Sequence, residues 1–362
     1  MDDGSRAPAG RVPPGAEPPP GTPKPVAQGA PLRDPQGRTI RYLRLSITDR
    51  CNYRCTYCMP PEGFERAPRS EVLSIDELVR VARIFAACGV EAVRITGGEP
   101  TVRSGLVDLV AGISTIDGIR DVAMTTNGDR LAALARPLFA AGLRRLNISL
   151  DTLDPERHAR ITRGGRLAHV LAGIDAAQAA GFDPIKLNTV VIRGFNDDEL
   201  ERIVDFAWAR GLVPRFIELM PVGEAGRRHG AAAVVPVAEM LERLGGRVDP
   251  RPVDPGTTGL GPAVYRAARG DPSRRIGFIG AVSEQFCATC NRLRVTAKGE
   301  LRACLARPEG RDLRALLRSG ASDGAMTEII RAAVGARLDG HHFWQREAAQ
   351  SSDLVVMTGV GG

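Results

Sequence analysis

Short stretches in which apolar and polar residues alternate recur along the chain, separated by longer stretches with apolar residues at every third or fourth position. The alternating stretches are 41–48, 91–96, 122–127, 145–150, 185–191 and 215–220. Alternation predicts strands, and the longer period predicts helices. Strand and helix repeated six times predict a parallel sheet with right-handed crossovers. The expected fold class is α/β: an incomplete (β/α)6 TIM-type barrel followed by a smaller α+β domain.

Two of the helices have clear start signals. Ser74 with Glu77 three residues later predicts a capping box at the start of one helix. Asn196 with Glu199 predicts the same for a helix over 197–210, which Gly211 would end. Its predicted buried stripe is Leu200, Ile203, Val204 and Ala207.

Within the strands, the face opposite the helices is polar. If Leu43 and Leu45 face the helices, Arg44 faces the lumen, and the same alternation turns Arg94 and Lys186 inward. A filled barrel packs Val, Ile and Leu there. We therefore expect this lumen to hold polar ligands, since dry burial of such groups is costly. The alternative is a structural network in which these side chains pair with one another.

The chain is expected to divide into four parts. They are a disordered Pro/Gly-rich tail at 1–38, the barrel at 39–222, a C-terminal domain at 223–350 and a tail ending in Gly-Gly at 351–362. In the third part we expect a linker at 221–230, a helix in 235–246 and a hairpin over 262–280.

Composition limits the function. The 362 residues carry a net charge of +7, which suits an anionic partner, but only 4% are aromatic. Nucleic acid is not expected, because base stacking needs aromatic residues among the basic ones. The sequence has no recognisable signal peptide and no apolar run of about 18–20 residues. We therefore expect a cytoplasmic location and no contact with a membrane. The seven cysteines then read as metal ligands or buried residues rather than disulfides.

Cys51, Cys55 and Cys58 lie together just after the first predicted strand. Three thiolates can hold an iron–sulfur cluster and leave one iron open for a non-protein ligand. Zinc is the alternative, but a structural zinc site needs a fourth protein ligand, and no His or Cys follows until Cys88. We interpret Cys88, at the end of a predicted helix, as a buried small residue.

The run "TDRCNYRCTYCMP", with Tyr57 before the last cysteine, resembles the signature of the radical S-adenosylmethionine (SAM) superfamily. The resemblance implies a 4Fe-4S cluster whose open iron chelates SAM, and cleavage of SAM to a 5'-deoxyadenosyl radical. "TGGEP" at 96–100 resembles the segment that binds the amino group of SAM, which indicates Gly98 and Glu99. The paired glycines would let a ligand approach the backbone.

A second group of three cysteines is Cys287, Cys290 and Cys304. They predict a second metal centre, again with three evident ligands. A zinc knuckle is the alternative, and His341 or His342 could complete it.

With both groups present, the chain closely resembles the MoaA family of GTP 3',8-cyclases, from about residue 38 to the terminal "GVGG". The resemblance implies a second 4Fe-4S cluster, in the C-terminal domain, that binds the guanine of GTP. It assigns SAM binding to Tyr57, Gly98, Ser149 and Met220. It assigns GTP binding to Arg44, Arg94, Thr125, Lys186, Arg215, Arg292 and Arg294. Arg292 and Arg294, with the terminal Gly361 and Gly362, are the residues it implies in catalysis.

The function implied by this family is conversion of GTP to (8S)-3',8-cyclo-7,8-dihydroguanosine 5'-triphosphate, the first step of molybdenum cofactor synthesis. Implied partners are an electron donor and cyclic pyranopterin monophosphate synthase as the next enzyme, with the chain a monomer or homodimer. Two alternatives are a radical SAM enzyme that modifies peptides and a basic zinc-binding nucleic-acid module.

Overall fold

The computed structural model describes residues 29–220, 223–254, 261–305 and 310–340. Six parallel strands stand side by side in chain order. They are β1 (Tyr42–Ser46), β2 (Ala92–Thr96), β3 (Asp121–Thr126), β4 (Arg145–Ser149), β5 (Ile185–Val191) and β6 (Val213–Glu218). Six helices connect them: α1 (Ile75–Ala87), α2 (Leu106–Ser114), α3 (Leu131–Ala140), α4 (Pro155–Thr162), α5 (Leu167–Ala180) and α6 (Leu200–Ala209). The predicted partial barrel is confirmed.

The local signals explain much of this. Ser74 accepts the amide of Glu77 while the Glu77 carboxylate accepts the amide of Ser74, so the capping box forms as predicted. Leu43, Leu45 and Ile95 are fully buried in the main core between the sheet and the helices. Burial of each such side chain contributes roughly 1.5–3 kcal/mol, which holds the sheet's outer face against the helices.

The chain after residue 223 adds four helices and six strands within the described ranges. The helices are α7 (Gly223–Arg228), α8 (Val237–Leu244), α9 (Leu313–Arg318) and α10 (Asp323–Gly335). The strands are β7 (Val248–Val253), β8 (Val264–Ala268), β9 (Asp271–Ile279), β10 (Arg292–Val295), β11 (Glu300–Arg302) and β12 (Arg311–Asp312).

These strands continue the barrel sheet from both of its ends. β9 pairs parallel with β6 and forms the predicted hairpin with β8, while β10 pairs parallel with β1. The complete order is β12-β11-β10-β1-β2-β3-β4-β5-β6-β9-β8-β7. The C-terminal segment therefore closes around the lumen from both sides. In the described part of the chain, no helix has the length and apolar content to cross a membrane.

The structure corrects the predicted start of α6. The helix begins at Leu200 instead of residue 197, with Glu199 at the N-cap position. Asn196 does not cap it, because its carboxamide accepts the amide of Ile192 and donates to the carbonyls of Asp151 and Val190. The predicted stripe from Leu200 to Ala207 is buried, and Gly211 ends the helix at φ +69°.

Two further boundaries are corrected. Residues 223–228 form α7, where a linker was predicted. In the predicted disordered tail, residues 29–38 are ordered: Leu32 is 1% exposed, Arg33 bridges Thr39, and the Asp34 side chain is fully buried. Residues 1–28 and the terminal part at 351–362 lie outside the described residues.

Candidate active site

The first cysteine group lies in the loop that leaves β1. The amides of Cys58 and Met59 both donate to the carbonyl of Cys55, which folds the chain into a tight turn. Cys51, Cys55 and Cys58 all line one cavity of about 220 Å3 at the carboxyl ends of the strands. This is the end of a parallel barrel at which ligands bind.

Gly97 and Gly98 hold this loop in place. A Cβ on Gly98 would lie 2.3 Å from the carbonyl oxygen of Arg50, and one on Gly97 would lie 2.5 Å from that of Thr48. The amide of Gly98 also donates to the Thr48 carbonyl. The predicted reason for the glycines was ligand approach, and the structure adds another: β2 and the cysteine loop pack backbone to backbone.

The chemistry of the first group fits a cluster. Burial raises the pKa of Cys51 to about 11, that of Cys58 to about 12, and that of Cys55 well above its ordinary value. Loading must therefore release protons from the three thiols. Among the residues described, no three His, Cys, Asp or Glu side chains are arranged to hold one metal ion. A four-iron cluster makes a different demand, because each thiolate binds its own iron.

The cavity also contains the residues predicted to bind SAM. Tyr57, Gly98, Ser149 and Met220 all line it. The Tyr57 hydroxyl donates to Asp151 over 2.8 Å. Burial raises the pKa of Asp151 to about 6, although bonds from Val190 and Tyr57 oppose that shift.

Glu99, expected beside Gly98 as a SAM ligand, has its carboxylate engaged within the protein. It accepts from the amide and hydroxyl of Thr101, the hydroxyl of Thr126 and the amide of Asn127. It is 1% exposed. The carboxylate therefore joins the ends of β2 and β3.

The second group comes together from two places in the chain. Cys287 begins a single 3-10 helical turn before β10, and Cys290 directly follows that turn. Cys304 follows β11, which pairs antiparallel with β10. The three thiols lie between a central cavity of about 180 Å3 and an outer cavity of about 490 Å3, since all three line both.

The electrostatics of the second group differ from those of the first. Burial alone would raise the pKa of Cys290, but the nearby guanidinium groups of Arg292 and Arg337 lower it to about 7. Thiolate ligands are thus favoured here. The donor set again fits an iron–sulfur cluster.

The central cavity lies between the two cysteine groups. We call the cavity of about 220 Å3 that Cys51, Cys55 and Cys58 line the SAM-side cavity, because it contains the residues predicted to bind SAM. Four residues line both this cavity and the central cavity: Thr125, Asn188, Ile217 and Met220. Five arginines that the sequence predicted as GTP ligands line it as well: Arg44, Arg94, Arg215, Arg292 and Arg294.

Contacts with neutral groups orient two of these arginines. Arg94 donates to Thr125 and to the Tyr42 hydroxyl, and Arg215 donates twice to Asn188 Oδ1. Burial, then the charge of Arg292, lowers the pKa of Arg294 to about 10. Such a collection of desolvated cations favours an anion with several charges.

Lys186 lies deeper than the arginines. It is 3% exposed, and its Nζ stands 5.8 Å from the centre of the Tyr265 ring. Lys186 is not among the described residues that line the central cavity. Burial, followed by the charges of Arg215, Arg145 and Arg94, lowers the pKa of Lys186 to about 6.

This pKa predicts a pH effect on substrate binding. Without ligand, Lys186 is mostly neutral at pH 7.5; a bound triphosphate would favour its charged form, so binding should take up a proton. Affinity for GTP should then fall by up to about tenfold per pH unit above 6. Calorimetry of GTP binding in two buffers of different ionisation enthalpy measures the proton. Lys186→Met should remove most of the uptake; equal uptake in the variant would contradict the assignment.

Comparison with known proteins shows the family to which the chain belongs. The family described as "Radical SAM superfamily" matches residues 45–207, and "Molybdenum Cofactor Synthesis C" matches 213–343. GTP 3',8-cyclase 1 of Pseudomonas aeruginosa is 49% identical over 90% of this chain and 98% of its own length. GTP 3',8-cyclase of Pelotomaculum thermopropionicum is 45% identical over 89% and 99%. The chain belongs to the GTP 3',8-cyclase family.

Solved structures agree on the fold. Streptococcus suis SuiB, in its structure bound to S-adenosylmethionine, matches with a TM-score of 0.53 and 15% identity over 82% of this chain and 69% of that one. A second structure of SuiB gives a TM-score of 0.54 over the same shares. At this identity the likeness supports the fold alone.

Some residues of the site could not be predicted from the sequence. Asp151, Tyr42, Phe286 and Arg337 line the cavities, and none of them was predicted to be a site residue. Asn188 stands two residues after Lys186 in β5, so the alternation that turns Lys186 inward also predicts an inward position for Asn188. Gly361, Gly362, His341 and His342 lie outside the described residues.

Proposed function

We propose that this chain converts GTP to (8S)-3',8-cyclo-7,8-dihydroguanosine 5'-triphosphate, the first step of molybdenum cofactor synthesis. The observation that carries the proposal is the central cavity, with a cysteine group at each side and six arginines in its wall. A purine triphosphate is the ligand whose charge and polarity match that wall.

In this proposal, separate sets of residues bind two clusters and one substrate. Cys51, Cys55 and Cys58 would hold the first 4Fe-4S cluster, and Cys287, Cys290 and Cys304 the second. When bound, the clusters and SAM supply the one-electron chemistry of the reaction. The protein's own part is to bind, orient and exclude water.

Each side chain has a proposed position in this arrangement. Tyr57, Gly98, Ser149 and Met220 contact SAM. Arg44, Arg94 and Arg215 hold the triphosphate, with Thr125 at the junction of the two cavities. Lys186, buried close to Arg215 and Arg94, adds its charge to triphosphate binding. Arg292 and Arg294, next to the second cysteine group, face the nucleoside; Arg292 also lies 4.7 Å from the ring centre of Phe286. Gly361 and Gly362 are proposed to support the reaction from the chain terminus.

The proposed context is cytoplasmic. An electron donor would reduce the first cluster, and cyclic pyranopterin monophosphate synthase would consume the product. No role for nucleic acid or membrane is proposed, and the chain would act as a monomer or homodimer.

The test is anaerobic incubation of the reconstituted, reduced protein with SAM and GTP. We expect 5'-deoxyadenosine and a cyclised nucleotide in equal amounts. Cleavage of SAM with GTP recovered unchanged would overturn the substrate assignment, and modification of a peptide in the same experiment would favour the peptide-modifying alternative. About two zinc per chain and no iron would overturn the radical mechanism itself.

A further inference from the structure

A buried group of charged side chains, Asp34, Arg38 and Arg337, joins the segment before the barrel to the second cysteine group. Asp34 lies in that segment, and its side chain is fully buried. Its Oδ2 accepts from Arg38 Nε over 2.6 Å and from Arg337 Nη1 over 3.0 Å. Arg337 follows α10, about 300 residues later in the chain. The carboxylate therefore fixes two guanidinium groups at once.

Both arginines reach the loop that carries Cys287 and Cys290. Arg337 Nη2 donates to the Cys290 sulfur over 3.2 Å, and its Nη1 donates to the Cys290 carbonyl over 3.2 Å. Arg38 Nη1 donates to the Cys287 carbonyl over 2.7 Å. All three acceptors are the thiol or the backbone carbonyls of predicted cluster ligands.

The burial of these charged side chains makes their contacts specific. The side chains of Arg337 and Arg38 are 4% and 8% exposed. A guanidinium at such a site needs its donors paired, and removal of one partner of a buried pair is strongly destabilising. Its planar fork also matches two acceptors at once, which an ammonium group cannot do.

We propose that Arg337, held by Asp34, is a positioning residue that orients Cys290 and sets the reduction potential of the second cluster. Arg38 fixes Cys287 in the same way. The proposal rests on the proposed assignment of Cys287, Cys290 and Cys304 as cluster ligands. It extends the second centre to a segment, 29–38, that precedes the barrel and that the sequence assigned to a disordered tail.

The physical basis is the contact between Arg337 and the sulfur of a cluster ligand. A hydrogen bond to a ligand sulfur and a positive charge beside it both stabilise the reduced cluster, so losing them lowers its potential. Loss of an outer-shell partner also typically weakens metal binding by about 10- to 100-fold.

The experiment uses full-length protein in which Cys51→Ala, Cys55→Ala and Cys58→Ala silence the first centre. Arg337→Gln, Arg337→Lys and Asp34→Asn are each introduced, and the protein is reconstituted with iron and sulfide. Two measurements follow: iron retained against a chelator, and the midpoint potential from a redox titration followed by electron paramagnetic resonance. Arg331→Gln is the matched control, because Arg331 donates to the Ala30 carbonyl of the same segment and is not among the described residues that line the cavities of the second cysteine group.

Arg337→Gln should need about tenfold less chelator to lose its iron and should titrate at a lower potential. Arg337→Lys should recover part of the potential and little of the stability. Asp34→Asn, which keeps the shape of the side chain, should shift both measurements in the same direction and decides the matter if Arg337→Gln does not fold.

Values for Arg337→Gln and Asp34→Asn equal to those of Arg331→Gln would overturn the positioning role. Failure of the ligand assignment looks different: Cys304→Ala in the same background would then retain all of its iron.

Discussion

Replacement of Cys304 by alanine is expected to abolish formation of the cyclised nucleotide while cleavage of SAM remains measurable. Cys304 lines the central and outer cavities and is absent from the lining of the SAM-side cavity. Loss of an outer-shell residue typically costs about 10- to 100-fold, so loss of a ligand should reduce cyclisation by more than about 100-fold.

The measurement compares two products of one reaction. 5'-Deoxyadenosine reports the first centre, and the cyclised nucleotide reports both. Cys88→Ala is the matched control, since Cys88 is 1% exposed, belongs to the main core and contacts neither cavity. That variant should give both products at close to the original ratio. Full cyclisation by Cys304→Ala would contradict the assignment of the second cluster.

The parts of the site that the sequence predicted share a local cause. The position of Arg94 follows from alternation within one strand, because a side chain between Val93 and Ile95 must point to the other face of the sheet. The structure has Val93 and Ile95 in the main core and Arg94 in the wall of the central cavity. Periodicity of this kind needs no knowledge of distant residues.

The predictions that failed depend on contacts that the local sequence pattern does not contain. Asn196 has the sequence of an N-cap, yet it bonds to Asp151, Val190 and Ile192, and tertiary contact overrode local preference. Asp34 stands in a Pro/Gly-rich stretch, and its burial depends on Arg337, about 300 residues later in the chain, as well as on the nearby Arg38. No window of sequence contains both Asp34 and Arg337.

Gly98→Ala is expected to remove the first cluster and, with it, cleavage of SAM. The new Cβ would lie 2.3 Å from the Arg50 carbonyl oxygen and 3.0 Å from the Cys51 amide nitrogen. These are backbone atoms of the loop that carries the first thiol, so they cannot rotate away as a side chain would. Overpacking of this kind typically costs about 1–3 kcal/mol, and the loop must move to relieve it. Iron per chain should fall to that of the second cluster alone.

Gly246→Ala is the control, because a Cβ there meets nothing within 4 Å. Neither glycine has a positive φ, so the two substitutions differ in steric contact and not in backbone strain. The outcome separates two roles for Gly98. If iron is retained and only the KM for SAM rises, the glycine serves ligand approach, as the sequence suggested. If iron is lost while the second cluster keeps its spectrum, the glycine serves the packing of the cysteine loop, which is the result that the contact with Arg50 leads us to expect.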